Sequence, residues 1–323
     1  MTVGVVVIGR NEGERLRRCL ESVVGQAQAV VYVDSGSTDG SVALARSLGV
    51  DTVDLDMSIP FTAARARNAG FAALMARRPD IAFVQFVDGD CELAPAWLTT
   101  ASGYLDGHPE IAMVCGRLQE RYPERSIYNR LCDFEWDAPP GESRACGGNA
   151  MARADALTAA GGYREALIAG EEPELCLRLR TAGWKIWRLP DAMAWHDAAM
   201  TRFGQWWRRN VRNGYAFAQG AHLHGSSPEQ HGIRESRRIC FWGGALPVLI
   251  LAAAVASNGW GLLLLAIYPA QVIRLTVRGK RSLGENGLWA TFNVLSKFPE
   301  LMGQARFHGN RLFSGDSRLI EYK

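Results

Sequence analysis

Apolar residues along the first hundred positions fall in short runs that end on polar clusters, and these runs alternate with stretches of helical period. Residues 3–8 are nearly all apolar and β-branched, as in a parallel strand covered on both faces, and Gly9, Arg10, Asn11 and Glu12 follow as a strand-to-helix loop. Leu16, Leu20, Val23 and Val24 recur at helical spacing up to Gly25. Residues 30–33 predict a second strand ended by Asp34, and a polar turn over 35–40 leads into a second helix. Two strand-helix units in succession predict an α/β fold with a doubly wound, mostly parallel sheet. A third strand is expected over 50–55 and a helix over 62–76, carrying Arg65, Arg67 and Asn68. The next strand, 82–92, reads AFVQFVDGDCE and stops on Asp88 and Asp90, parted by one glycine.

In open α/β sheets ligands bind beyond the carboxyl ends of the strands, so Asp88 and Asp90 belong at the mouth of that crevice. Two hard oxygen ligands, with other positions left to water and phosphate, suit Mg²⁺ or Mn²⁺. A plain Asp-Gly turn accounts for the string equally well.

Beyond a polar linker at 225–235 the pattern changes. Residues 240–257 carry no charge and would span about 27 Å as a helix, near the thickness of a bilayer core. Asn258, Gly259 and Trp260 interrupt, and 261–273 is again uncharged. Arg234, Arg237 and Arg238 precede the pair; Arg274, Arg278, Lys280 and Arg281 follow it. Positive flanks at both ends predict a helical hairpin with both ends in the cytoplasm. Pro247 and Pro269 would also permit a re-entrant hairpin, and a buried core hairpin is the third alternative. Leu288, Phe292, Leu295, Phe298 and Met302 then recur at helical spacing, as in an amphipathic helix lying in the interface or packing back on the catalytic domain.

Composition narrows the class. Charged residues make up 21% of 323 and the net charge is +3, which gives nucleic-acid binding no support. Seven cysteines without a CxxC pair form no disulfide framework and suggest a reducing compartment. The first strand starts almost at once, with no signal peptide before it, so the N-terminal part is expected in the cytosol.

Several polar strings have chemistry of their own. Asp34 suits a nucleobase or ribose, or else an N-cap. Arg67 offers forked donors to a diphosphate. Cys146, Gly147, Gly148 and Asn149 read as a close backbone approach to a ligand. In Gly170-Glu171-Glu172-Pro173-Glu174 the acids favour a helix N-terminus, and their crowding would raise a pKa toward the range of a general base. Residues 201–220 interleave Phe203, Trp206, Trp207, Tyr215 and Phe217 with arginines, a mixture suited to a membrane interface.

The order of these strings resembles the GT-A fold glycosyltransferases of family 2, which are inverting. The likeness is carried by VVVIGRNE, VYVDSGSTDGS, ARARNAGF, FVDGD, CGGNAMAR, AGGY and GEEPELCLRLRTAGWKI, over roughly the first 220 residues. It implies a Rossmann-like catalytic domain over 1–224, a linker over 225–238, the hairpin over 239–279 and an amphipathic region over 280–323. It further implies donor contacts at Asp34, Arg67, Asn68, Asp88 and Gly148, and a divalent metal on Asp90, Asp88 and His196. Glu172 stands where the family has its catalytic aspartate, one methylene longer, with Glu171 as the alternative. Gln205 and Arg208 fit the QxxRW spacing of processive members such as cellulose synthases, but Arg209 replaces the tryptophan, so a processive polymerase is not expected. Trp206, Trp207, Arg208 and Arg209 are then expected to face acceptor or lipid. The implied activity is inverting, metal-dependent sugar transfer from a nucleotide-diphosphate sugar to a hydroxyl or phosphate of a lipid-linked or glycan acceptor of surface polysaccharide or glycolipid biosynthesis. Its place would be the cytoplasmic (inner) membrane, with the catalytic domain facing the cytosol. Two other classes stay open: a nucleotidyltransferase, and a non-catalytic nucleotide- or glycan-binding membrane partner.

Overall fold

A computed structural model describes residues 2–313. The chain forms two compact units, one of Met1–Pro123 with Glu135–Ala199 and one of Glu124–Phe134 with Met200–Lys323.

The first unit is built on a nine-stranded mixed sheet. Strands β1 (Val3–Gly9), β2 (Ala29–Asp34), β3 (Asp51–Asp54) and β4 (Phe83–Asp88) are parallel, in the order β3-β2-β1-β4. Helices α1 (Glu14–Glu21), α2 (Ser41–Ser47) and α3 (Ala63–Arg77) connect them. Val5, Val6, Val7, Val33, Val84 and Val87 have no exposure, as expected of strands covered on both faces, and burial of such side chains contributes about 1.5–3 kcal/mol each. After β4 come β5 (Cys91–Leu93), α4 (Trp97–Gly107), β6 (Ile111–Glu120), α5 (Ile127–Trp136), β7 (Gly141–Glu142), β8 (Ala150–Arg153), α6 (Ala154–Ala159), α7 (Glu171–Thr181) and β9 (Lys185–His196). The sheet continues from β4 as β8-β6-β9-β5, with β7 on β9. Only β6 and β9 pair parallel in this half; β8, β5 and β7 pair antiparallel with their neighbours.

Register places the acids. Gly9 pairs with Asp34 and Ile8 with Asp88, so β1 carries an acidic neighbour on each side at its carboxyl end. Cys91 pairs with His196, which brings the end of β9 beside the Asp88-Gly89-Asp90 turn.

The second unit is helical: most of α5, with α8 (Phe203–His224), α9 (Ile233–Ile239), α10 (Leu246–Ala256), α11 (Ile267–Arg278), α12 (Leu283–Leu295) and α13 (Lys297–Leu312). Trp206, Asn210, Val211, Gly214, Tyr215 and Ala218 form the buried stripe of α8. A Cβ on Gly214 would lie 1.9 Å from the carbonyl oxygen of Glu300, so only glycine permits this crossing of α8 and α13. A six-residue π-helical turn, Cys240–Ala245, joins α9 to α10, and Ile233–Ala256 forms one helical stretch. This stretch and Trp260–Arg278 are long and apolar enough to cross a membrane, by length and composition. Only 28% of the first is buried within the protein and none of the second, so they are not core helices.

Packing divides the chain differently from the expected boundaries at 224 and 238. Helix α8 belongs with the C-terminal helices because its apolar stripe is covered by α13, and the expected linker is helical from Ile233. The expected amphipathic helix is two, broken at Ser296, whose buried residues are Asn286, Ala290 and Val294, then Pro299, Glu300, Gly303, Gln304 and Phe307. The anticipated stripe from Leu288 to Met302 lies half-buried or exposed instead. The last ten positions of that region, 314–323, lie outside the described residues.

Candidate active site

The site is built where the loops after β1, β2 and β4 meet the N-terminus of α7. Asn11 Oδ1 accepts the Thr38 N–H at 2.7 Å, and Asp39 Oδ2 accepts the Gly13 N–H at 3.0 Å, which stitches the first two loops together. Asp34, expected to face the nucleotide, is 4% exposed. Its carboxylate accepts from Tyr32 Oη–H at 2.8 Å and from the Gly36 and Ser37 N–H groups at 3.0 and 2.7 Å. The side chain therefore shapes the loop after β2.

Arg67 is the centre of charge. Its side chain is 3% exposed; Nη2 donates to Asp88 Oδ1 at 2.7 Å and Nη1 to Glu171 Oε1 at 2.6 Å. Both arms are committed to carboxylates, so Arg67 acts as a bridge between β4 and α7 and not as an open diphosphate clamp. Gly148 closes over this bridge: a Cβ there would stand 2.5 Å from Arg67 Nη2 and 3.0 Å from Asp88 Oδ2. What stands closest to this glycine is an ion pair of the protein itself.

Asn68 does not reach the site's open side. Its amide donates to the Tyr163 carbonyl at 2.8 Å and to Glu165 Oε1 at 3.0 Å, and its Oδ1 accepts the Tyr163 N–H at 2.9 Å. Both amide N–H groups and the carbonyl oxygen thus hold the loop from Tyr163 to Glu165 against α3.

Asp90 and His196 come together. His196 Nε2 lies 3.3 Å from Asp90 Oδ1, and its Nδ1 is 3.7 Å from Glu120 Oε2. Among the described residues, Asp90, Cys91 and His196 form the group whose ligand atoms all lie within 4.8 Å of one another. Asp88 stands outside that group, and its Oδ1 is paired with Arg67. Adjacent ligands about 2.1 Å from a small divalent ion stand roughly 3 Å apart, so the Asp90-His196 separation fits one. His196 Nδ1 is buried without a hydrogen-bond partner among the described residues, and Glu120 is the nearby carboxylate on its far side, as in metal-bound histidines backed by an acid.

The three acids expected to crowd at α7 do not. Glu171 pairs with Arg67, Glu174 with Arg164 and Arg178 at 3.2 and 2.9 Å, and Glu172 turns to the loop before β8. There Glu172 Oε1 accepts the Cys146 N–H at 2.6 Å and the Cys176 thiol at 2.8 Å, at 3% exposure. Burial holds the Glu172 carboxyl above its usual range; bonds from Cys176, Cys146 and Gly147 oppose this, and the Glu171 charge adds only a little.

Sequence reading passed over some contributors. Asn149 Oδ1 accepts the Asp88 N–H at 3.0 Å and fixes the strand end. Tyr163 lies under Arg67, ring centroid 5.7 Å from Cζ, and the Trp136 ring stands edge-on to His196 at 4.6 Å. Asn149 was named only as part of the backbone approach and Tyr163 only within AGGY; the site roles of Trp136 and Glu120 had no local signal. Trp206, expected at the acceptor or lipid face, is 4% exposed and packs edge-on against Phe292 at 5.0 Å. Trp207 and Arg209 are half-buried and Arg208 is exposed.

The sequence profile described as glycosyl transferase family 2 matches residues 4–167. Glycosyltransferase AglE of Haloferax volcanii is 25% identical over 66% of this chain and 71% of its own. The pre-mycofactocin glycosyltransferase of Mycobacterium tuberculosis is 27% identical over 89% of this chain, which spans only 62% of that relative's length. In fold, the chain is similar to the mannosyltransferase PcManGT of Pyrobaculum calidifontis, solved with GDP-Man and Mn²⁺, with a TM-score of 0.65 at 22% identity over 94% of this chain and 86% of that one. The mixed sheet, the acidic strand end and a profile match over half the length agree: the chain belongs to glycosyl transferase family 2 and is a glycosyltransferase of GT-A type.

Proposed function

We propose that the chain moves a sugar from a nucleotide-diphosphate sugar to a hydroxyl of a lipid-linked acceptor, with inversion, on the cytoplasmic side of a membrane. The observation that carries this is the Arg67 bridge, which ties the acidic end of β4 to the acidic start of α7 within one guanidinium. A donor side and a base side in one cleft are what a single displacement needs.

Asp90 and His196, with Asp88 beside them, are the residues to hold a divalent cation, which supplies neutralising charge for the departing nucleoside diphosphate. The loop after β2, shaped by Asp34, and Gly148 line the donor side. Glu172 takes the proton of the acceptor hydroxyl; the hydroxyl oxygen bonds to the anomeric carbon as the bond to the diphosphate oxygen breaks, and configuration inverts. Glu171 is the alternative base: it is 9% exposed against 3% for Glu172, and each already has partners, Glu171 in Arg67 and Glu172 in Cys146 and Cys176. The exposed apolar stretches at 240–257 and 261–273, flanked by arginines, support a membrane hairpin and hence an acceptor presented at a bilayer.

The test is incubation of the detergent-solubilised chain with Mn²⁺ or Mg²⁺ and a panel of nucleotide sugars that includes GDP-mannose and UDP-GlcNAc. Nucleotide release is scored with and without lipid extract. Release that depends on one donor, metal and lipid is expected; no consumption of any donor defeats the proposal.

A further inference from the structure

Glu172 does not meet the loop before β8 unaided. Cys176, one turn further along α7, donates its thiol to the same Oε1 that accepts the Cys146 N–H. The i to i+4 spacing stacks thiol and carboxylate on one helix face. Cys176 is completely buried and Cys146 is 6% exposed, so neither contact is shared with solvent. Cys115 on β6 and Cys146 lie within reach of each other, and Cys176 Sγ is 3.9 Å from Met113 Sδ, so the thiol that meets Glu172 is itself packed among sulfur atoms. Glu172 is faced by Glu171 and Cys176 from its own helix, by Cys146 and Gly147 from the loop before β8, and by Tyr163 from the loop after α6.

Resting on the reading of Glu172 as the base, we propose that Cys176 is a positioning residue for the transfer: its S–H fixes the Glu172 carboxylate and sets the pH at which that group releases its proton. The Cys176 thiol is pushed up to about 11 by burial, so it remains a donor across the working range. Loss of the donor leaves Glu172 with its burial and fewer partners, and the charged form becomes harder to hold.

The test is infrared difference spectroscopy of the full chain as pH is varied, following the protonated carboxyl band that Glu172→Gln removes. Cys176→Ala is expected to raise the midpoint of that band by about one pH unit. It should also delete a thiol stretch shifted to low frequency by hydrogen bonding. Cys176→Ser, which restores a donor, is expected to return the midpoint toward wild type. Should Cys176→Ala not fold, Cys176→Val fills the volume without a donor and is read in the same way. An unchanged midpoint without the thiol overturns the proposal and leaves the base assignment standing. Undiminished transfer by Glu172→Gln removes the base assignment itself, and the proposal with it.

Discussion

Asp88 and Glu171 share one guanidinium: Arg67 reaches the first through Nη2 at 2.7 Å and the second through Nη1 at 2.6 Å. An arginine on α3 thereby fixes the spacing between the end of β4 and the start of α7. Removing it would take the guanidinium away from two acids, Glu171 almost wholly buried and Asp88 about one-third exposed. Arg67→Met is expected to destabilise the first unit by about 3 kcal/mol, the lower end for a broken buried pair because Asp88 keeps some water. Arg67→Lys, with a single ammonium, should recover only part of this. Denaturant unfolding of the three proteins checks both statements; equal midpoints would contradict them.

Gly148 offers a sharper probe of the same bridge. The added methyl of Gly148→Ala falls 2.5 Å from Arg67 Nη2, closer than real contacts allow, so either the guanidinium or the loop must give way. Donor binding is expected to weaken at least tenfold while the sheet persists, because the clash lies at the strand end and not in the core. Calorimetric titration with the preferred nucleotide sugar, beside a circular-dichroism melt, separates these effects. Wild-type affinity in the alanine variant would show that the loop tolerates displacement.

The metal assignment is tested without turnover. Of the two donor atoms that stand 3.3 Å apart, Asp90→Asn takes the charge from one and His196→Ala removes the other, and each is expected to weaken Mn²⁺ binding by roughly 10–100-fold or more in direct titration. Glu120→Gln, behind His196, should cost less than either. An Mn²⁺ affinity indifferent to both Asp90 and His196 would place the ion elsewhere.

How much of this was legible depended on the range of the interaction. The β1, β2 and β4 strands and the Asp88-Gly89-Asp90 turn announce themselves locally, because a run buried on both faces and ended by acids needs no partner to be recognised. The antiparallel strands after β5 are short, and their pairing depends on residues dozens of positions away, so local period could not separate them from a wholly parallel sheet. Side-chain destinations were hidden for the same reason. Asp34, Arg67 and Asn68 were found by type and order, yet each has its hydrogen bonds spent within the protein, which only coordinates reveal.

The helical unit gives a contrast between neighbours on α8. Trp206 is buried against Phe292, whereas Arg208 is exposed. Trp206→Ala is expected to cost about 3–5 kcal/mol of stability, and Arg208→Ala within about 0.5 kcal/mol of none. If Arg208 meets lipid or acceptor, its loss appears instead as weaker association with anionic vesicles. Chemical unfolding and vesicle flotation assign each residue to one role or the other.

Glu172 carries the pH dependence. Its carboxyl is raised in the folded protein, chiefly by burial, against an ordinary value of 4.5. Transfer needs the deprotonated form, so the rate should fall as pH drops through this raised value, earlier than for an exposed glutamate. Stability runs the other way. A group that holds its proton more tightly folded than unfolded favours the fold most below 4.5, and this contribution is lost as pH rises through the folded value. Glu172→Gln cannot titrate there, so wild type should gain stability relative to the variant as pH falls from neutral toward 4.5. The same variant should lose roughly 10²–10⁴ of the transfer rate and its acidic limb together. Unfolding free energies at several pH values, set beside a pH-rate profile, decide the matter: a pH-independent stability difference would mean that Glu172 titrates alike in the folded and unfolded chain, and an acidic limb retained in the variant would assign the proton transfer to another group.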